Sequence, residues 1–224
     1  MAENKKQQQK EGNANATSRL TRRTRNAEKI PFSNPEIEHK FTLKTQEAIR
    51  LYTRNFNTTS QALFNIMINT TRLERLGQRG VAASAKKAID AALDTPTKEI
   101  ELGIKAFSEM LNSAGDVSEV NYTNPREFTT STRTPEATKL IKLFKSYDLI
   151  ITILDKAYLN ALAPADEVED TKSFHTSNIQ TLAKTIKGHA QSSVEQLESI
   201  AGAENNTDEA KDKEPVEKEE NTEA

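Results

Sequence analysis

The chain has 224 residues, of which 35% are hydrophobic, and a formal net charge of -2. It has no cysteine, which excludes disulfides, a thiol nucleophile and a cysteine zinc site and is typical of a reducing compartment. No apolar run approaches the roughly 18 residues of a membrane span, and the N-terminus lacks the apolar stretch of a signal peptide. We therefore expect a cytoplasmic protein without a membrane partner.

The net charge hides a partition along the chain. Residues 1–30 hold eight Lys and Arg against three Glu, whereas residues 204–224 hold nine acids against three Lys. Neither segment has residues to form a core, so we predict a disordered basic arm and a disordered acidic tail on either side of a folded body. In the arm, Arg22, Arg23 and Arg25 are candidate DNA contacts. The alternative is an extension that only adds solubility.

The body begins with one convincing strand. Polar and apolar positions alternate over residues 40–45, which is the period of a strand with one buried face. Phe41 and Leu43 are predicted to face a core. The outward-facing residues are Lys40, Thr42 and Lys44. Because a lone strand leaves its backbone groups unpaired, we expect this strand to pair with its counterpart in a second copy of the chain.

Two helices are predicted directly after the strand. The first is short, at 46–55, and a break follows at 55–57. A capping-box pattern at 58–61 then begins a second, amphipathic helix, which is predicted to end near Gly77.

Helical spacing also dominates the later part of the body. Helices are predicted at 81–93, at 96–111, from residue 136 and after Pro164, with an extended connection at 116–135. In the helix from residue 136, the apolar residues are separated alternately by four and three positions, which is typical of a heptad seam. The seam residues are Leu140, Phe144, Tyr147, Ile151, Leu154 and Tyr158.

The local motifs of common catalytic sites are absent from the sequence. There is no phosphate-binding loop, dinucleotide-binding glycine motif, zinc-protease motif or serine-hydrolase elbow. His39, His175 and His189 share no metal-ligand spacing, and Asp148 and Asp155 are predicted to be solvent-facing helix carboxylates. We expect no enzyme activity and no catalytic residue, metal, cofactor or small-molecule substrate.

The order of strand, short helix, turn and longer helix is that of a ribbon-helix-helix unit. Two such strands pair antiparallel in a homodimer, and the resulting ribbon fits the major groove of DNA. We therefore predict a mainly α fold with a DNA-binding unit at 31–80 and additional helices at 81–203.

Two groups of body residues are predicted to contact double-stranded DNA. Lys40, Thr42 and Lys44 would contact base edges from the outward side of the strand. The start of the second helix would bind a phosphate through free amides and hydroxyls. The predicted phosphate contacts are Thr58, Thr59 and Ser60.

Two stretches of sequence resemble known regulators. FTLK at 41–44 and NTTSQAL at 57–63 are similar to the strand and second-helix start of ribbon-helix-helix regulators. Over residues 38–165, LKT at 43–45, TPEAT at 134–138 and the helix at 144–162 resemble AcaB-like transcriptional regulators of conjugative plasmids and integrating conjugative elements. This resemblance implies a dimeric DNA-binding activator of transfer genes at a promoter.

A different class of function is also compatible with the sequence. The outward strand residues are also compatible with the solvated face of an ordinary edge strand, on which lysines oppose aggregation. The seam at 140–158 could then hold a protein partner. The alternative is thus a non-enzymatic helical interaction or assembly adaptor.

Overall fold

The computed structural model describes residues 35–211, with side chains through residue 200. This part of the chain forms two strands and four helices in the order β-α-α-β-α-α. Their bounds are β1 Ile37–Leu43, α1 Gln46–Arg75, α2 Arg79–Ser113, β2 Arg126–Thr132, α3 Pro135–Leu159 and α4 Ala165–Lys211. The mainly α class is therefore confirmed for the described residues.

The partner of β1 lies in the same chain. β1 and β2 pair antiparallel, with Ile37 opposite Thr132 and Leu43 opposite Arg126. β2 lies within the segment that was predicted to be an extended connection. The predicted pairing of β1 with a second copy was wrong, because β2 already supplies the backbone partners that the strand requires. The homodimer itself stays a prediction, without the strand pairing from which it was inferred.

The order of strand, helix and helix occurs twice along the chain. Both strands have seven residues and the same burial pattern, and each is followed two residues later by a threonine that caps the next helix. Thr45 accepts a hydrogen bond from the amide of Ala48, and Thr134 accepts one from the amide of Ala137. α1 packs on α4 as α2 packs on α3. The halves β1-α1-α2 and β2-α3-α4 are thus related by an approximate two-fold axis through the ribbon.

α1 is one continuous helix where two were predicted. Its buried positions continue at steps of three and four from Phe56 to Leu63, across the predicted break at 55–57. The capping-box pattern does not cap a helix here, because the hydroxyl of Thr58 donates to the carbonyl of Asn55 within the helix. The predicted break was wrong, since burial along one continuous face outweighs the local cap signal.

α2 also joins two segments that were predicted as separate helices. Pro96 lies inside α2 and is buried. A proline removes one backbone hydrogen bond from a helix, but packing of the flanking turns keeps the helix continuous here. Gly77, with a φ of +78°, lies in the turn that separates α1 from α2, so the predicted helix end is confirmed.

An aromatic cluster fills the space between the ribbon and the helices. The ring of Tyr52 lies 5.4 Å from that of Phe41 and 4.6 Å from that of Phe128, one from each strand. It also contacts Phe144 on α3 edge to face at 5.4 Å. Leu43 is fully buried and Phe41 is partly buried, as predicted. The cluster therefore covers the inner face of the ribbon, and the opposite face is left to solvent.

The heptad seam of α3 belongs to the core of this chain. Its first five residues are at most 2% exposed, and Tyr158 is 49% exposed. Residues from both sides of the predicted boundary at residue 80 contribute to the same hydrophobic cluster.

α4 begins directly after Pro164, as predicted, and continues to Lys211. Residues 204–211, which were assigned to the disordered acidic tail, therefore lie within a helix. Among the described residues, no helix combines the length and the apolar character that a membrane crossing needs.

His175 is a buried titratable group between three helices. It lies on α4, is 3% exposed, and its ring approaches Gly103 of α2 so closely that a Cβ there would lie 3.2 Å from Nε2. Nδ1 has no hydrogen-bond partner among the described residues. Burial lowers the pKa of His175, and the nearby carboxylate of Glu99 opposes this shift.

The free energy of unfolding should therefore decrease as the pH falls through about 6.5. In that range the unfolded chain binds a proton at His175 that the folded chain does not, so protonation favours unfolding. Urea unfolding at pH 7.5 and 5.5 measures this change. His175→Leu should reduce it, whereas the matched control His189→Gln should not. An unchanged pH dependence in His175→Leu would contradict the assignment.

Candidate nucleic-acid interface

The face of the ribbon that points away from the aromatic cluster is polar over its whole length. Side chains alternate along each strand, so every second residue lies on this face, and all of these are exposed. We call these six residues the outer face: Glu38, Lys40, Thr42, Glu127, Thr129 and Ser131. Lys40 and Thr42 are exposed on it, as predicted. The three residues from β2 were missed, because that strand was not recognised.

The two ends of the outer face carry the same chemical groups. Glu38 lies opposite Ser131, and Glu127 lies opposite Thr42, so each end has one carboxylate and one hydroxyl. When the two halves are aligned on their threonine N-caps, Glu38 corresponds to Glu127, and the hydroxyl residue Thr42 corresponds to Ser131. The two-fold relation of the backbone therefore extends to the chemistry of the ends.

The centre of the outer face is different. Lys40 lies opposite Thr129, and these two residues also correspond to each other in the two halves. The ammonium of Lys40 lies 3.3 Å from a carboxylate oxygen of Glu38, but both side chains are more than half exposed. Ion pairs in such surroundings are weak, so Lys40 can exchange this partner for another acceptor.

A basic residue follows each strand at the corner that leads into the next helix. Lys44 lies between β1 and α1, and Arg133 lies at the corresponding position between β2 and α3. Arg133 donates from Nε to Glu36 at 2.6 Å, and its guanidinium lies 5.6 Å from the ring centre of Phe64. Lys44 is exposed and has no ion-pair partner in the part of the chain that the structure describes.

A buried carboxylate holds the corner that contains Lys44. Asp148 on α3 is 7% exposed. Its Oδ1 accepts hydrogen bonds from the amide of Thr45 at 2.8 Å and from its hydroxyl at 2.7 Å, while Oδ2 accepts the amide of Lys44 at 3.0 Å. The prediction that Asp148 faces solvent was wrong, because amides at the start of a helix need an acceptor and Asp148 provides one.

Asp155, one heptad further along α3, has separate partners. It accepts a hydrogen bond from the hydroxyl of Tyr122 at 2.7 Å and forms an ion pair with Lys172 of α4. Burial, and then the hydrogen bond to Asp155, raise the pKa of Tyr122. Asp155 thus links the segment between α2 and β2 to helices α3 and α4. Among residues 35–200 no three His, Asp or Glu side chains are grouped so that they could hold a metal ion.

The three predicted phosphate contacts lie in the middle of α1. Their amides belong to a continuous helix, so the predicted binding of phosphate by free amides was wrong. Thr59 is buried, and Thr58 is exposed. Ser60 lines a groove of about 260 Å³ together with Ser131 and Arg133, and so lies beside the ribbon. The predicted contact of Thr59 with DNA was wrong, because its hydroxyl is buried, whereas contacts of Thr58 and Ser60 with DNA stay predictions.

The predicted contacts in the basic arm, Arg22, Arg23 and Arg25, lie outside the described residues. They remain sequence-based candidates.

The fold and the outer face define a helical protein built around a two-stranded antiparallel ribbon with a polar, solvent-facing side. The same fold occurs in AcaB from uropathogenic E. coli, whose selenomethionine-containing crystal structure matches with a TM-score of 0.70 and 20% sequence identity. The match covers 75% of this chain and 86% of the AcaB chain. The predicted resemblance to AcaB is therefore confirmed for the fold. Neither a family profile nor a curated protein sequence matches the chain.

Removing the Asp148 carboxylate should destabilise the protein without changing the exposed residues of the ribbon. Asp148→Ala leaves two amides and one hydroxyl without their acceptor, and the expected loss is about 3 kcal/mol in the free energy of unfolding. Urea denaturation measures it, with Asp170→Ala on the exposed side of α4 as the matched control. Equal stabilities of the two variants would show that Asp148 does not hold this corner.

Proposed function

We propose that this chain is a sequence-specific DNA-binding transcriptional regulator that inserts the outer face into the major groove of a promoter. The exposed, all-polar outer face, together with the approximate two-fold axis of the ribbon, is the observation that supports this proposal. A two-stranded ribbon has the width that the major groove admits. In DNA-binding dimers, two-fold symmetry of the protein mirrors the two-fold symmetry of the site, and here one chain provides both halves.

The residues of the ribbon have different roles in this proposal. Lys40 donates to the O6 and N7 acceptors of guanine, and Thr42 bonds to a base or packs against a thymine methyl group. Lys44 was predicted to contact a base edge, but it lies one residue beyond β1, so we assign it to a phosphate instead. Arg133 at the other corner has the same role, and the two contacts fix the position of the ribbon.

Electrostatic attraction to DNA needs a further source beyond the ribbon. The ribbon and its corners, residues 36–44 and 126–133, hold four Lys and Arg against three Glu. Phosphate contacts supply most of the non-specific affinity for DNA, and a nearly balanced ribbon provides little of it. The basic arm at 1–30 ends six residues before β1 in the sequence, and we propose that it adds this attraction through Arg22, Arg23 and Arg25.

The biological role follows from the resemblance to AcaB-like regulators. The resemblance of the sequence motifs implies activation of conjugative-transfer genes by a non-enzymatic cytoplasmic protein, and the AcaB-like fold is compatible with this role. The adaptor hypothesis relied on the seam at 140–158 as a binding surface. Because the seam residues up to Leu154 are packed inside this chain, most of the binding surface that this hypothesis requires is buried.

Lys44→Ala should weaken binding to the promoter by roughly tenfold, because one phosphate contact is lost while the buried corner is retained. A mobility-shift titration at fixed salt measures the effect, and the urea midpoint should stay unchanged. Lys105→Ala, an exposed lysine on α2 away from the ribbon, is the matched control. Equal affinities of the two variants would argue against the ribbon as the binding element.

Replacing Arg22, Arg23 and Arg25 together by Ala should reduce the salt dependence of binding. Each lost phosphate contact lowers the slope of log K against log salt by about 0.9, so the expected reduction is roughly 2.7. Binding titrations at salt concentrations from about 50 to about 200 mM measure the slope. The preferred sequence should be the same as in the wild type. A slope equal to that of the wild type would show that the arm does not contact phosphates and only adds solubility.

A further inference from the structure

We propose that a single ribbon recognises a site with two similar ends and a directional centre. This inference rests on the proposed DNA-binding function and specifies the class of site. Glu38 and Glu127 select the ends of the site, and the pair formed by Lys40 and Thr129 sets its direction. None of these roles requires a second copy of the chain, because both strands come from one chain.

The proposed base preference at the two ends of the site follows from the chemistry of a carboxylate in the major groove. Glutamate has only acceptors, and the amino group of cytosine is a major-groove donor that Glu or Asp can bind. The acceptor atoms of guanine and thymine repel a carboxylate, so Glu38 and Glu127 also exclude the wrong base. Because each carboxylate is accompanied by a hydroxyl across the ribbon, the two ends should prefer related sequences on opposite DNA strands.

A simpler explanation accounts for only one of these two glutamates. Glu38 could be a surface counter-ion of Lys40, from which it is separated by 3.3 Å. At the other end, the corresponding neighbour of Glu127 on the outer face is Thr129, which is uncharged. The guanidinium of Arg126 lies 5.2 Å from the ring centre of Phe128. In the part of the chain that the structure describes, Glu127 has no ion-pair partner.

The proposed direction of the site follows from the position of the approximate two-fold axis of the ribbon. A two-fold rotation of the ribbon exchanges Lys40 with Thr129, since these residues are opposite each other and correspond in the two halves. Lysine prefers the acceptors of guanine, whereas threonine has no such strong preference. A site with guanine on one side of its centre therefore binds the ribbon in one orientation better than in the other.

Exchanging the two central residues tests this directly. A duplex library with a randomised core is first selected with the wild-type chain. Because the chain has no cysteine, Gln46→Cys at one corner of the ribbon can carry a single DNA-cleaving iron chelate, whose cuts show the orientation of the chain on the enriched site. The chelate should cut mainly on one side of the central guanine with the wild-type ribbon and mainly on the other side when Lys40→Thr and Thr129→Lys are added, with a preference of roughly tenfold between the two orientations. The double variant keeps the charge and composition of the outer face.

The outcomes separate the inference from the function on which it rests. If the wild type enriches no sequence, both the DNA-binding function and the inference fail. If it enriches a site but the folded double variant keeps the original orientation, or if the selected centre is symmetric, this inference alone fails. Circular dichroism and the urea midpoint establish that the variant is folded.

The glutamates are tested on the same enriched site. Glu38→Gln and Glu127→Gln should each reduce discrimination against a changed base pair at one end by roughly tenfold, and at opposite ends. Glu109→Gln, on the exposed side of α2, is the matched control and should leave discrimination unchanged. Loss of discrimination at the same end in both variants, or at neither, would overturn the assignment.

Discussion

The antiparallel pairing of β1 with β2 fixes where the helices of this protein begin. The backbone groups of a strand beside the core require partners, and each strand provides them for the other. Because the strands are antiparallel, α1 and α3 start at opposite ends of the ribbon, each from a threonine cap. Both helices then contribute aromatic rings beneath it. One face of the ribbon is thereby buried, and the other is free for recognition.

Sequence patterns predicted those elements whose signals were local. Leu43 and the start of α1 at residue 46 were recognisable, as was the seam of α3, because burial there follows a single periodicity. β2 was missed because only Phe128 is apolar among its four inward positions, and Arg126, Thr130 and Thr132 interrupt the apolar alternation. Thr132 is nevertheless 2% exposed, and its hydroxyl bonds with His39 at 2.9 Å. Threonine is a good strand former, but hydropathy alone does not mark it as inward-facing.

Asp148 illustrates a contact that local patterns do not encode. Its partners Lys44 and Thr45 lie more than 100 positions earlier in the chain, so their need for an acceptor is apparent only once α3 crosses the corner. A carboxylate is buried favourably when several donors surround it, and three donor groups do so here. The same contact joins the two halves, because an α3 side chain caps the start of α1. The exposed lysine of the candidate site is thus positioned by the opposite half of the chain.

Having both strands in one chain removes a restriction that a homodimeric ribbon imposes. At the two-fold axis a homodimer places each residue opposite its own copy, so a central lysine would face a lysine, and like charges directly opposite destabilise a strand pair. Here Lys40 faces Thr129, which keeps one cation without that repulsion. Glu38 and Glu127 are four positions apart along the ribbon, or about 13 Å, beyond the screening length of roughly 8 Å at physiological salt. Two glutamates are therefore tolerated at the ends of the outer face. The two halves differ at its centre, where two identical charges directly opposite each other would destabilise the strand pair most.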